Sequence, residues 1–421
     1  KVSIVKFGLF YEHQIARPWG EGDEHRLFKD ALDQVELADR LGFDYVWEVE
    51  HHFLEEYSHS SAPEVFLAAA SQRTSQIRLG HGIVLLPSGY NHTARVVERI
   101  NTLDLLSDGR VEFGTGESSS QAELDGFGVD PSTKRDQWLD HIEAATRMMV
   151  EEPFAGWDGP WLKMPPRNVV PKPHQRPHPP LWVACSQRDT IRLAATKGIG
   201  ALSFGFVEPG EAREWVSEYY NTLASEACVP AGFAVNANIA CVLPFMCHDN
   251  EQEAIDRGLD GAHFFGYSLG HFYGFGDHRP GSTDIHEQFL ANRSLFGFDH
   301  DTAAQLGGSL RARLKSGGLA SLRGAIGTPS QIRELLLDYE EAGVDQVIFV
   351  SQAGRNRHEH ICESMELFAR EVMPEFAERD PQHMSAKEKR LAGSIEAALS
   401  RREGPRSVDS TYRIPPATAN G

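Results

Sequence analysis

The stretch "GFDYVWEVEHHF", residues 42–53, starts as one thing and ends as another. From Phe43 to Val49 it is a largely apolar run, as expected of a strand buried on both faces. It then ends in Glu48, Glu50, His51 and His52. A strand that leaves a core through carboxylates and imidazoles opens either on an ordinary loop or on a cavity. The segments on either side decide between the two.

Upstream, "VSIVKFGLF" reads as a strand. A helix from about Glu24 to Leu41 follows, with Leu27, Ala31, Val35 and Ala38 at helical spacing, Asp23 as a candidate cap and Gly42 at its end. Downstream the alternation continues. A helix near 63–76 precedes the strand "IRLGHGIVLLP", and a helix at about 92–106 precedes "RVEFGTG". A helix near 134–151 leads into "NVVPKPHQRPHPP", whose prolines exclude regular structure. "LWVACS", a helix at about 189–197, "GALSF", a helix at 209–226 and the long strand "FAVNANIACVLPFM" come next. After an excursion over roughly 261–322, "GTPSQIRELLLDYEEAG" carries strong helix signals. Thr328 and Gln331 form a capping-box pattern, Pro329 takes the first turn and Gly343 the end. "VDQVIFV" is the last strand, and a helix at 358–373 closes the series.

Eight strand candidates, each followed by helical material, predict an α/β fold of the TIM (β/α)8 barrel type with insertions. A doubly wound sheet is the alternative, weakened by the lack of a G-x-G-x-x-G after the first strand. The predicted barrel domain spans 1–376. Residues 377–421 form a C-terminal extension: first a helix with Leu391, Ile395 and Leu399 on one stripe, then a polar stretch expected to be disordered.

The 421 residues are 41% hydrophobic and 24% charged, with a formal net charge of -19. Such a surface disfavours nucleic acid and anionic membranes as partners. No apolar run is long enough to span a bilayer, and no signal-peptide pattern is visible. Cys185, Cys228, Cys241, Cys247 and Cys362 are scattered without a C-x-x-C pair, which argues against a disulfide framework or a structural zinc site. A reducing cytoplasm is the expected compartment.

In a TIM barrel, catalytic groups sit at the C-terminal ends of strands. Glu50 and His51 occupy that position on the second strand. Successive strand residues face opposite sides, so only one of His51 and His52 can face the mouth. Adjacent histidines are therefore a poor metal pair, and no metal site is expected.

"GFDYVWEVEHHF" resembles the corresponding segment of the bacterial luciferase-like flavin-dependent monooxygenases. "GIVLLP" followed by "ARVVERINTLDLLSDGRVEFGTG" is similar to that family's third and fourth βα units. "AIGTPSQIRELL" and "ESMELFAREVMPEF" are similar to its last two helices. The likeness runs from about Val2 to Phe376. It implies a barrel that receives reduced FMN from a separate flavin reductase. There the flavin reacts with dioxygen to form a C4a-peroxide and oxidises a small organic substrate. It also implies that His51 is the active-site histidine, and that "ACSQRDTIRLAA" is the phosphate loop, with Cys185, Ser186, Arg188 and Thr190 as contacts. Gly82 and Ile83 would lie beside the flavin ring, joined by a cis peptide bond. Two positions depart from luciferase itself: Gly116 replaces a reactive cysteine, and Glu117 a phosphate-binding arginine. Arg188 is expected to take that arginine's place, with Glu117 turned away or paired with a cation.

In the same family a mobile loop covers the site. "GAHFFGYSLGHFYGFGDHRPG" is the matching segment, a lid or substrate wall in which His263 and His271 have no assigned role. A homo-oligomer, most simply a dimer, is expected. Three alternatives remain open: a deazaflavin-dependent oxidoreductase on the same fold, a non-catalytic flavin-binding protein, and a metal-dependent hydrolase. The substrate is not legible.

Overall fold

The computed structural model describes residues 5–204, 206–295 and 323–416. Residues 2–4 of the first expected strand, 296–322 of the second excursion and 417–421 of the tail lie outside the described residues. Eight parallel strands close into a barrel. They are β1 (Lys6–Tyr11), β2 (Tyr45–Glu48), β3 (Arg78–His81), β4 (Val111–Gly116), β5 (Leu181–Cys185), β6 (Gly200–Ser203), β7 (Ile239–Cys247) and β8 (Gln346–Val350). Each pairs with the next, and β8 returns to β1. This is the TIM barrel that the alternation predicts.

Helices wrap the outside. They include α1 (Asp23–Leu41), α2 (Pro63–Ser71), α3 (Thr93–Leu106), α4 (Gln121–Gly126), α5 (Lys134–Val150), α6 (Arg188–Thr196), α7 (Pro209–Leu223), α8 (Glu251–Gly270), α9 (Ile285–Asn292), α10 (Pro329–Ala342), α11 (His358–Glu371) and α12 (Met373–Ser400). The capping box of α10 forms as expected, between Thr328 and Gln331.

Alternation along the strands builds two layers. Phe7, Leu9 and Val46 pack outward against the helices, while Phe10, Trp47, Trp182, Leu202, Val242 and Ile348 fill the barrel. Trp47 and Trp182 meet edge to face at 5.2 Å. Their indoles donate to Gln346 (2.8 Å) and Glu112 (2.5 Å). Glycines make room for them: a methyl on Gly80 would lie 2.2 Å from the Trp47 ring, and one on Gly200 2.5 Å from that of Trp182. The lower barrel is therefore solid, and any ligand must sit at its mouth.

Three expectations change. "IRLGHGIVLLP" is not one strand: β3 stops at His81, and pairing resumes only at Val84–Leu85. The long strand is shortened to β7, because Asn236 leaves the strand pattern to donate to the Leu181 carbonyl (2.9 Å). The excursion expected from 261 begins instead as helix. Gly258 and Gly261 serve close packing, since a methyl there would lie 2.5 Å from the Met246 side chain and 2.3 Å from Asn356 Oδ1 respectively. Helix α8 runs on to Gly270 and widens into a π-turn at His271–Phe275.

The expected boundary at 376/377 falls inside α12. Lys387 is buried at the N-terminal face of the barrel, where it donates to Asp345 (2.7 Å) and Asn238 (2.6 Å). Beyond the helix, Glu403 pairs with buried Arg147 (3.0 Å), and Arg402 stacks 3.8 Å over Phe233.

Candidate active site

Along β2, Trp47 and Val49 face the barrel interior, so two-residue spacing aims His51 at the mouth and Glu48, Glu50 and His52 away from it. The structure follows this parity. The His52 ring lies 4.8 Å from Phe127, and its Nε2 is 3.2 Å from Glu50. Glu50 accepts from the Leu85 N–H (2.8 Å) and the Asn91 side chain (2.9 Å), holding the broken strand in place. Glu48 pairs with buried His13 (2.7 Å). These groups maintain the rim.

His51 sits between two carboxylates. Its Nδ1 faces Glu123 at 2.9 Å, and its Nε2 lies 3.8 Å from Glu12. Glu123, from α4, also accepts from Ser118 Oγ (2.5 Å) and the His52 N–H (2.9 Å). Glu12 directly follows β1 and accepts from Tyr57 OH (2.9 Å), while its Oε2 is buried with no hydrogen-bond partner among the described residues. The Tyr57 and Tyr273 rings flank the imidazole at 5.7 and 6.5 Å. Burial disfavours the charged imidazole, but Glu12 and Glu123 outweigh it and raise His51 to about 9. Burial raises Glu12 to about 7 against the pull of the His51 charge. Burial also opposes ionisation of Glu123, yet His51 and the donors around it hold its carboxyl below the usual range. At neutral pH the site therefore presents an imidazolium fixed by an ionised Glu123.

The expected phosphate loop leaves β5 and opens α6. Ser186 is exposed, and the Thr190 hydroxyl closes a capping box with Gln187. Cys185 faces the outer helical layer, and burial pushes its thiol up to about 12. Arg188 is half-exposed and already engaged by Glu214 (3.3 Å) and Glu218 (2.9 Å) of α7. A further cation, Arg135, is near enough for its charge to act on Cys185. Arg135 holds Glu117 with two hydrogen bonds of 2.7 Å, and Lys134 lies 3.5 Å from the same carboxylate. Glu117 is thus paired with cations. Ile83 lies over Gly116, where a methyl would meet its Cδ1 at 2.1 Å. All cis peptide bonds among the described residues precede proline, so Gly82–Ile83 is trans, contrary to expectation. A non-proline amide carries a cis cost of about 3–4 kcal/mol, and these surroundings do not impose it.

His263 is fully buried within α8, and His271 contacts His278 (Nε2 to Nδ1, 3.2 Å). Burial lowers His271 to about 4. His278 in turn meets Glu55 (3.2 Å), which also accepts from the Gly281 N–H (2.8 Å). Glu56 accepts from the Ile285 N–H (2.5 Å) at the start of α9. His271 thus belongs to a chain of contacts that ties the segment after α8 to Glu55.

Of the groups the structure gathers here, the sequence reading singles out His51, and not Glu12, Tyr57, Glu123, Tyr273 or Arg135. The Glu12 signal was present: it follows β1 in register with the inward residues Gly8 and Phe10. Glu123 carried none, because a short helix after β4 delivers it.

The sequence matches the family model described as luciferase-like monooxygenase over residues 5–346. An uncharacterized protein of Sinorhizobium fredii is 36% identical over 183 residues, which cover 43% of this chain but only about half, 52%, of that protein. The oxygenase component of the flavin-dependent trigonelline monooxygenase of Acinetobacter baylyi is 23% identical over 378 residues, covering 89% of this chain and 96% of the relative. The oxygenating constituent of 3,6-diketocamphane monooxygenase from Pseudomonas putida, a type II Baeyer–Villiger monooxygenase solved with FMN, superposes with a TM-score of 0.64 at 19% identity, over 88% of this chain and 98% of that one. The coenzyme F420-dependent tetrahydromethanopterin reductase from Methanopyrus kandleri reaches 0.60 at 19% identity, over 89% and 100%. At these identities the structural likenesses establish the fold alone. The family match, spanning most of the barrel, identifies the chain as a member of the luciferase-like monooxygenase family.

Proposed function

We propose that this chain is the oxygenase of a two-component system, taking reduced FMN from a separate reductase and using dioxygen to oxidise a small organic substrate. The observation that carries this reading is the place of His51 at the barrel mouth, with Nδ1 held 2.9 Å from Glu123 and Nε2 left to face the opening. Reduced FMN, when bound, supplies the electrons that activate dioxygen. The residues present fit such a group. Phe10, Phe206, Phe265 and Ile83 are buried apolar side chains around the mouth, able to keep water from a reactive ring. His51 Nε2–H can donate to negative charge developing on oxygen, where a charged donor in a dry site is worth most. Gly82 and Ile83 would border the ring. The start of α6, with Ser186 and Thr190, would offer the phosphate backbone N–H groups and a favourable dipole. Five free cysteines are compatible with a reducing cytoplasm.

The test is oxygen uptake with reduced FMN against a panel of aldehydes, ketones and phenols, with labelled dioxygen. Incorporation of one labelled oxygen atom per product molecule supports the proposal. Hydride transfer with coenzyme F420 and no oxygen uptake would replace it with the deazaflavin reading.

The phosphate contact makes a second expectation. Arg135, whose charge reaches Cys185 at the end of β5, is the arginine we propose for the phosphate, exchanging Glu117 for the bound anion. Arg135→Ala should weaken FMN binding by roughly ten- to a hundred-fold, the loss of a charged hydrogen bond of about 1.5–3 kcal/mol. Arg188→Ala should leave it unchanged, because that side chain is committed to α7. Riboflavin affinity, measured by fluorescence quenching, should be the same in all three proteins. An FMN loss in Arg188→Ala alone would move the phosphate to that side.

A further inference from the structure

We infer that Glu12 is a second proton-holding group of the reactive centre, exchanging a proton with His51 Nε2 while Glu123 fixes the opposite nitrogen. This rests on the proposed acid–base role of His51.

Three observations carry it. The inward parity of β1 puts Glu12 on the same rim as His51, and its Oε1 faces Nε2 at 3.8 Å. Glu12 is 2% exposed, and its Oε2 has no hydrogen-bond partner among the described residues. A buried carboxylate oxygen without a donor is costly unless it carries a proton or meets a ligand's donor. Oε1 is oriented by Tyr57 OH, so the carboxyl is held while its second oxygen stays available. The two carboxylates differ accordingly. Glu123 has donors on both oxygens and serves as a fixed anion. Glu12 accepts from Tyr57 on Oε1, while the nearby Ser58 hydroxyl is given to the Glu12 backbone carbonyl (2.8 Å), and it is the carboxyl suited to changing its protonation state.

The step conserves protons. When Nε2–H passes its proton to a basic oxygen of the reacting species, the neutral imidazole takes the Glu12 carboxyl proton through a bridging water, because 3.8 Å is too long for direct transfer. An imidazolium and a carboxylate result. Glu12 recovers its proton from water when the cover opens. The other groups facing this pair are Glu123 from α4, Glu48 and Glu50 from β2 and its end, Tyr57 from the loop before α2, and Tyr273 from the π-turn. His13 pairs with Glu48 and faces away from the mouth.

The test follows His51 directly by ¹⁵N-histidine NMR titration of the full chain, with His51→Gln assigning the signal. In Glu12→Gln, which preserves an acceptor for Tyr57, the His51 titration should fall by about 1–3 pH units, as expected when a nearby opposite charge is lost. Glu12→Asp should restore part of the shift. An unchanged His51 titration in Glu12→Gln overturns the inference. The pH profile of oxygen uptake with reduced FMN provides the second readout. The upper inflection, near 9 in the wild type, should move down with the His51 titration in Glu12→Gln, and an upper inflection that stays near 9 also overturns the inference. A shifted His51 titration in a chain that takes up no oxygen at any pH would leave the proton pair standing and defeat the monooxygenase reading instead.

Discussion

Replacing His51 by alanine leaves a folded barrel that still binds flavin but loses turnover by about 10²–10⁴-fold, the usual contribution of a positioned acid–base group. The substitution removes a side chain at the rim, and the indole-filled lower barrel does not depend on it. The expected loss is chemical. Without the ring, no charged donor faces the mouth, and Glu12 and Glu123 become two buried acids with no cation between them. Their mutual repulsion raises the cost of ionisation, so FMN affinity in the mutant should depend on pH more steeply. In the wild type, turnover should fall as pH rises through about 9, where the His51 proton is lost. The same sign applies to stability. The folded-state value lies above the ordinary imidazole value of about 6.5, so the pair's contribution is complete below about 6.5 and lost as pH rises through about 9. Stopped-flow oxygen consumption and flavin fluorescence measure the two effects separately. Unimpaired turnover in His51→Ala would remove the residue from the chemistry.

The second large effect concerns the tail. A chain ending at Asp380 is expected not to hold its fold at 25 °C, contrary to the independence that the sequence suggests. Truncation strips Lys387 from Asp345, and removing one member of a buried pair costs about 3–5 kcal/mol. Asp345 keeps the Tyr220 hydroxyl and the Ile239 N–H, which softens the loss without neutralising the charge. Burial of Leu391 is lost too, about 2 kcal/mol more. Arg147, 1% exposed, gives up Glu403 and retains Glu151. Together these approach the whole stability of an ordinary domain, about 5–15 kcal/mol. The point variant Lys387→Met isolates the buried pair. It should lower the urea midpoint, and an unchanged midpoint in both variants would show that the tail is an appendage.

The barrel was legible because its signals are local. Each strand is a short apolar run, and the helices carry caps such as Thr328–Gln331. His51 was legible because strand parity and strand-end position are properties of one segment. What remained hidden depends on distant parts of the chain meeting. Glu123 lies 72 residues from His51 and reaches it only once β2 and β4 are in the same barrel. Arg188 stands out as a phosphate arginine by proximity in sequence, but its pairing with Glu214 and Glu218 of α7 depends on a segment about 30 residues away and could not be read locally. The glycines of α8 suggested a loop because the pattern cannot reveal that Met246 and Asn356 press against them. The stripe of Leu391 and Ile395 was visible, but the buried Lys387 between the strand ends was not.

Glu55, Glu56 and Tyr57 are consecutive, and their side chains do two jobs. The first two hold the segment from His278 to His286, while the third holds Glu12. One short stretch of backbone therefore anchors two places at once: the segment that leads into α9, and the carboxyl of Glu12 at the barrel mouth.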